Sequence, residues 1–138
     1  MSSMRLILVF LIGAASPLLA SEDSPDLASL LWKARPVIIF ADAEADPRFV
    51  HQLNMLESEK EALEARDVFI MTDTDPQTLS ELREKLRPRG FMFVLIDKDG
   101  QVKYRKPNPV PANELIRLID RMPSRKQELS NESGILDK

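Results

Sequence analysis

A short apolar run constrains the fold of this chain more than any other feature of the sequence. Val37 to Ala41 is continuous, apolar and rich in β-branched side chains, which is typical of a strand covered on both faces. Asp46 and Pro47 then have the residue types of a helix N-cap and a first helical position. Many α/β proteins keep their chemistry where a strand passes into a helix N-terminus. This junction has no Cys, Ser, His or glycine-rich loop, so the sequence predicts an α/β fold and names no ligand.

The N-terminus has the pattern of an export signal. Arg5 precedes an apolar run that ends near Ala15, and Ala20 precedes a polar stretch. We expect residues 1–20 to be a cleaved signal peptide, because the apolar run is too short for the roughly 30 Å hydrocarbon core of a bilayer. Residues 21–26 then form a disordered leader. The mature chain is expected to be periplasmic or secreted, with no stable membrane span.

Composition narrows the classes of function. The chain has 138 residues, which suits one domain, and a formal net charge of -3. Nucleic acid is not an expected partner, because no basic stripe is interleaved with aromatic side chains. The absence of Cys excludes disulfides, thiolate metal sites and thiol catalysis. No cofactor is expected from the residues present.

Apolar patterns along the chain alternate between strands and helices and then change to a hairpin. We predict strands at 37–41, 68–72, 91–96 and 101–106, and helices at 47–65, 76–86 and 112–122. Asp75 and Pro76 repeat the capping pattern of the first helix, and Asp99-Gly100 favours a tight turn. The first two strands are expected to be parallel and the last two antiparallel. The order is β-α-β-α-β-β-α around a four-stranded mixed sheet, in a domain at 27–123 followed by a loose polar tail at 124–138.

Several side chains carry specific expectations about packing. Leu53 and Leu56 lie on the helical stripe of the first helix and are predicted to be in the core. Leu79 is predicted to point inward from the second helix. Trp32 is the only Trp, and we expect it to cover the sheet as a packed aromatic. His51 lies off the apolar stripe and is expected at the surface.

Charged residues are predicted to gather at one edge of the sheet, where the loops after the first two strands meet the loop before the third. The residues are Asp42, Glu44, Asp46, Asp73, Asp75, Arg87 and Arg89. Such alternating carboxylates could hold a hard cation such as Ca²⁺ or act as an acid–base pair in hydrolysis. Capping and the helix dipole already explain Asp46 and Asp75. We therefore assign no catalytic, cofactor-binding or metal-binding residue.

The order of elements is that of the thioredoxin fold. The run from Gly90 to Val102 resembles the thioredoxin stretch that begins Gly-Ile-Pro-Thr and ends Asn-Gly-Glu-Val. In this resemblance the cis-proline of the family falls on Met92, and the redox Cys-x-x-Cys falls near 44–47. The resemblance implies a thioredoxin-like fold in which both catalytic features are replaced.

A second resemblance covers about residues 27 to 129. It is carried by Trp32, Arg35-Pro36, Phe40, Asp46-Pro47, Arg66-Asp67, Leu95 to Gly100, Val102-Lys103 and Ile119 to Arg125. These segments resemble an uncharacterised family, the domain of unknown function numbered four-one-seven-four. Its members are small exported bacterial proteins, and related peroxiredoxin-like domains occur in vertebrate extracellular matrix proteins. The resemblance implies a thioredoxin-like fold and no established activity.

Two classes of function remain open at this point. The favoured class is a non-enzymatic binding or interaction module with a protein partner in the periplasm. The alternative is an enzyme or cation-binding protein that acts through the acidic loops. An apolar patch at a shallow edge favours the first, and a deep pocket lined by unpaired acids favours the second.

We predict that the protein has no thiol reductase, disulfide isomerase or thiol peroxidase activity. The thiolate is the attacking group in all three reactions, and the chain has no Cys. Insulin-reduction and peroxide-consumption assays are expected to give the same rates with the protein as with buffer. Turnover that follows the protein through purification would contradict this prediction.

Overall fold

The structure is a computed structural model that describes residues 25–136, and the expected signal peptide at 1–20 lies outside them. Its centre is a sheet of four strands, β1 (Arg35–Phe40), β2 (Val68–Asp73), β3 (Met92–Ile96) and β4 (Val102–Lys106), in the order β2-β1-β3-β4. β1 pairs in parallel with β2 and antiparallel with β3, and β3 and β4 form an antiparallel hairpin. The predicted mixed sheet and strand directions are confirmed, and every strand boundary lies within two residues of its prediction.

Helices cover both faces of this sheet. In the described part of the chain they are a 3₁₀ turn at Ala28–Leu30 and the helices α1 (Pro47–Glu57), α2 (Lys60–Glu64), α3 (Glu81–Leu86), α4 (Ala112–Asp120) and α5 (Pro123–Leu136). All six residues of β1 are buried, as expected for a strand covered on both faces. Alternate side chains of β1 therefore enter two separate apolar layers.

The two layers differ in size. The larger layer contains Val37 and Ile39 of β1 and the adjoining Ala41, together with Leu56, Leu63, Leu115 and Ile119 of the helices. The smaller layer lies on the face that carries the 3₁₀ turn and α3, and contains Ile38, Phe40, Leu30, Met71 and Leu86. The smaller layer has less helical cover, which leaves grooves along this side of the sheet.

The predicted first helix at 47–65 is divided into α1 and α2, so the prediction of one continuous helix was wrong. The break lies at Ser58 and Glu59, where Glu59 has a non-helical backbone (φ -122°, ψ 29°). The Ser58 hydroxyl donates to the Met55 carbonyl over 2.6 Å, a local bond that competes with the helical pattern. Leu56 is buried as predicted, whereas Leu53 is half-buried at the margin of the larger layer.

The second predicted helix begins at Glu81 and not at 76, because a different residue caps it. The Ser80 hydroxyl accepts the N–H of Arg83 at 3.2 Å and forms the N-cap of α3. Asp75 instead closes the turn that precedes the helix. Leu79 lies in this turn and is 67% exposed, so its predicted inward position was wrong.

Trp32 does not cover the sheet as expected. Its backbone is left-handed (φ 63°), its N–H donates to the Lys98 carbonyl over 2.8 Å, and its side chain is 73% exposed. Leu30 occupies the position against the smaller layer instead. His51 lies exposed on α1, as predicted.

The largest correction concerns residues 124–138, which were expected to form a loose tail. Pro123–Leu136 is a helix, and its first turns hold the side chain of Arg35, which is fully buried at the start of β1. The Arg35 guanidinium donates to Asp97 over 3.1 Å, to the Ser124 hydroxyl over 3.0 Å and to Glu128 over 2.9 Å. Lys98 adds a second cation at 2.7 Å from Glu128. We call Arg35, Asp97, Lys98, Ser124 and Glu128 the Arg35 cluster.

Glu128 gives the Arg35 cluster a testable pH dependence. Burial raises the pKa of Glu128, but Lys98 and Arg35 outweigh that effect and lower it from 4.5 to about 2. A carboxyl with a depressed folded pKa contributes stability above its unfolded pKa, and this stability is lost as the pH falls towards the folded value. We predict that wild type is more stable than Glu128→Gln at neutral pH and that the difference shrinks between pH 4.5 and about 2.

Urea melts over this pH range measure the free energy of unfolding of both proteins. Glu132→Gln is the matched control, because Glu132 is exposed one turn further along α5. A difference between wild type and Glu128→Gln that stays constant with pH would contradict the assigned role of the carboxylate.

Candidate functional site

The three loops expected to share one sheet edge do so. Phe40, the last residue of β1, is in register with Asp73 of β2 and with Met92 of β3. Gly90 precedes β3, and a Cβ at this position would lie 3.9 Å from the Asp42 carboxylate. The fold therefore brings the candidate charged residues to one end of the sheet.

Asp46 forms the first charged pair at this end. Its carboxylate accepts the backbone N–H of Arg48 at 2.9 Å, which makes Asp46 the predicted N-cap of α1, and it also binds the Arg48 guanidinium at 3.0 Å. That guanidinium lies over the Phe91 ring, 5.5 Å from its centroid. The hydrogen bonds from Arg48 hold the pKa of Asp46 below its usual value. Asp42 and Glu44 lie exposed in the adjoining loop.

Asp73 forms the second charged pair. It accepts the Arg83 guanidinium at 2.9 Å and the Ser80 hydroxyl at 2.6 Å. Arg83 is 7% exposed, donates to the Ala41 carbonyl over 3.0 Å and lies over the Phe40 ring. Arg83 was not among the candidate residues predicted from the sequence. Its position on the inward stripe of the predicted second helix, three residues before Leu86, is the signal that could have revealed it.

The other candidates at this end have local structural roles or are exposed. Asp75 accepts the Thr78 hydroxyl at 2.7 Å, and this bond holds the pKa of Asp75 below its usual value. Arg87 ends α3 in a left-handed conformation (φ 47°). Arg89 is exposed, and Met92 is half-buried against the smaller layer.

At this end of the sheet, Asp46, Asp73 and Asp75 therefore serve in capping and ion pairing. An ionised carboxylate with a lowered pKa is a poor general acid near neutral pH, which applies to Asp46 and Asp75. Within residues 25–136, no group of three or more His, Asp or Glu side chains is placed to hold a metal ion.

The outer edge of β2 presents a different kind of surface. The backbone N–H groups of Arg35 and Ala41 donate to the carbonyls of Asp67 and Asp73. In β2, the backbone N–H and C=O groups of the odd-numbered residues therefore point towards β1. The N–H and C=O groups of Val68, Ile70 and Thr72 point away from the sheet. No other element in the described chain forms a backbone hydrogen bond with them. We call residues 68–72 the β2 edge.

Apolar grooves lie on both faces of the β2 edge. One groove has a volume of about 230 Å³ and is lined by Leu56, Leu63, Val68 and Ile70. The other has a volume of about 410 Å³ and is lined by Leu27, Ala28, Met71 and Leu82. Phe69 and Ile70 are each 38% exposed at this edge. A strand edge with apolar side chains and free backbone groups is a surface suited to binding an extended polypeptide.

The fold and its charged end define a class: a thioredoxin-like α/β protein in which no cysteine is present. The match to a family model over residues 26–128 identifies the family within this class, and the chain belongs to the family described as "Domain of unknown function (DUF4174)". The matched segment contains all of β1–β4 and the complete Arg35 cluster. The second resemblance found in the sequence is thereby confirmed.

Solved structures with a similar fold include peroxiredoxins. The reduced 2-Cys peroxiredoxin of Plasmodium vivax has a TM-score of 0.59 at 14% identity, over 73% of this chain and 84% of that chain. Prx1a of Plasmodium yoelii has a TM-score of 0.55 at 16% identity, over 73% and 80% of the two chains. A search of curated proteins gives no match. At these identities the likeness shows the fold alone.

Proposed function

We propose that this protein is a non-enzymatic module that binds another polypeptide. The observation that carries the proposal is the β2 edge, which combines free backbone groups, exposed apolar side chains and a groove on each face. Binding by strand addition takes its affinity from main-chain hydrogen bonds and its specificity from pockets for alternate side chains. The β2 edge offers both kinds of contact.

The charged end of the sheet supports the same proposal. Asp46 and Asp73 are paired with Arg48 and Arg83, and Asp75 caps a turn. A hydrolytic acid–base pair needs one carboxyl with a raised pKa, whereas the pKa values of Asp46 and Asp75 are lowered. The contacts of these three aspartates are therefore accounted for by the fold, and they favour a binding role over acid–base chemistry.

A photo-cross-linking amino acid in place of Thr72 tests the binding function. Thr72 is exposed and directs its backbone groups outward from the β2 edge. After illumination in an extract of exported proteins, we predict discrete adducts with other polypeptides that an excess of unlabelled wild-type protein abolishes. The same amino acid at His51, an exposed position on α1, is the matched control. Absence of competable adducts at Thr72, or equal adducts at both positions, would contradict the proposal.

We also propose that the protein acts outside the cytoplasm, on the basis of the signal pattern around Arg5 and Ala20. None of the helices described in residues 25–136 has the length and apolar character needed to span a bilayer. Mass spectrometry of cell fractions is predicted to find a mature chain beginning near Ser21 in the exported fraction. Recovery of the uncleaved chain in the cytoplasm would contradict this prediction.

A further inference from the structure

The two outer strands of the sheet differ in how they are protected against added strands. β4 carries Lys103, Arg105 and Lys106, and positive charges on an edge strand oppose pairing with another chain. The β2 edge, at residues 68–72, has no charged residue and no proline. The residues directly adjacent to it are Asp67 and Asp73, one at each end. Strand addition is therefore disfavoured at β4 and open at β2.

Both faces of an added strand would find apolar contacts at the β2 edge. Successive side chains of a strand point to opposite faces of the sheet. The side chains on one face of the added strand would contact the groove beside Val68 and Ile70. Those on the other face would contact the groove beside Met71. An added strand with apolar residues on both faces fits this arrangement better than a fully polar one.

The rims of the two grooves carry more negative than positive charge. The charged residues that line them are the acids Asp26, Glu57, Glu64 and Glu81 and the bases Lys60 and Lys85. Asp67 and Asp73 add negative charge at the two ends of the strand, although each is paired with one cation. A binding segment with basic residues on either side of an apolar centre complements this distribution.

A second copy of this chain is a poorer occupant for the same reason. Two-fold pairing of β2 with itself, centred on Ile70, would place each Asp67 opposite an Asp73. Like charges directly opposite one another destabilise a strand pair. Self-pairing would also bring together two acidic rims in a protein whose formal net charge is -3.

We propose, on the basis of the binding function above, that the β2 edge binds an extended polypeptide segment with an apolar centre and Lys or Arg flanks. The segment joins the sheet as a fifth strand beside β2. The outward N–H and C=O groups of Val68, Ile70 and Thr72 form its ladder, and the acidic rims bind its flanks.

Fluorescence anisotropy with labelled synthetic peptides tests this proposal. The probe is a peptide of roughly ten residues, with consecutive Val residues at its centre and two Lys residues at each end, so that both faces of its centre are apolar. We expect it to bind the purified protein at least roughly tenfold more tightly than the same peptide with Glu in place of Lys. N-methylation of the central amides of the Lys-flanked peptide is expected to abolish binding, because it removes the donors of the ladder.

Two protein variants locate the binding surface. Ile70→Lys adds to the β2 edge the kind of charge that β4 already carries, and is expected to weaken binding at least roughly tenfold. Val102→Lys is the matched control, because Val102 is 45% exposed on the opposite edge strand, and it is expected to leave binding unchanged. Both side chains are partly exposed, and urea melts check that both variants remain folded.

The remaining outcomes separate this proposal from the binding function itself. Equal affinity for the Glu-flanked peptide, or binding that survives N-methylation, would overturn the proposed mode even if Thr72 gives competable adducts. A dimer in sedimentation that Ile70→Lys dissociates, with no peptide bound, would make a second copy the occupant and overturn it as well. Loss of both the adducts and the peptide binding would overturn the binding function together with its mode.

Discussion

The buried guanidinium of Arg35 is the interaction on which this fold depends. Its side chain is fully buried at the start of the central strand, and removing one partner of such a charge costs about 3–5 kcal/mol. Its partners come from three distant parts of the chain: the carbonyl of Arg66, the carboxylate of Asp97, and Ser124 and Glu128 on α5. One cation therefore joins the parallel half of the sheet, the hairpin and the C-terminal helix.

A second arginine, Arg83, binds polar groups at the opposite end of β1. Arg83 binds the Ala41 carbonyl and the Asp73 carboxylate where the thioredoxin resemblance would place chemistry. Because its partners include the main chain, removing Arg83 would take a donor from the buried Ala41 carbonyl and the cation from the Asp73 carboxylate. The polar groups at both ends of the central strand thus stabilise the fold.

The parts of the fold that local signals determine were predicted from the sequence. The β-branched run at Val37 and the capping pattern at Asp46 each lie within a few residues of sequence. The strand and the helix start that they predicted are both present. Helix α5 was missed because its side chains are polar and its anchor at Glu128 is 93 residues from Arg35. The exposure of Trp32 follows from its left-handed backbone conformation. This conformation could not be predicted, because Trp is not a residue type that favours it. The gathering of acids at one end of the sheet followed from topology, but the pairing of Asp73 with Arg83 needed three-dimensional contacts.

The β2 edge could not be located from sequence, because strand order decides which strand lies outermost. Once that order is known, Asp67 and Asp73, which are ion-paired with Lys98 and Arg83, are found at the two ends of the outermost strand β2. An uncharged strand edge invites aggregation unless charges limit it, and acids at both ends of β2 oppose pairing with another copy. In the proposed binding mode, the acids on the rims of the two grooves would attract a basic-flanked segment. Under that proposal, the excess of acids around β2 would disfavour a second copy of the chain and favour a basic segment for the same electrostatic reason.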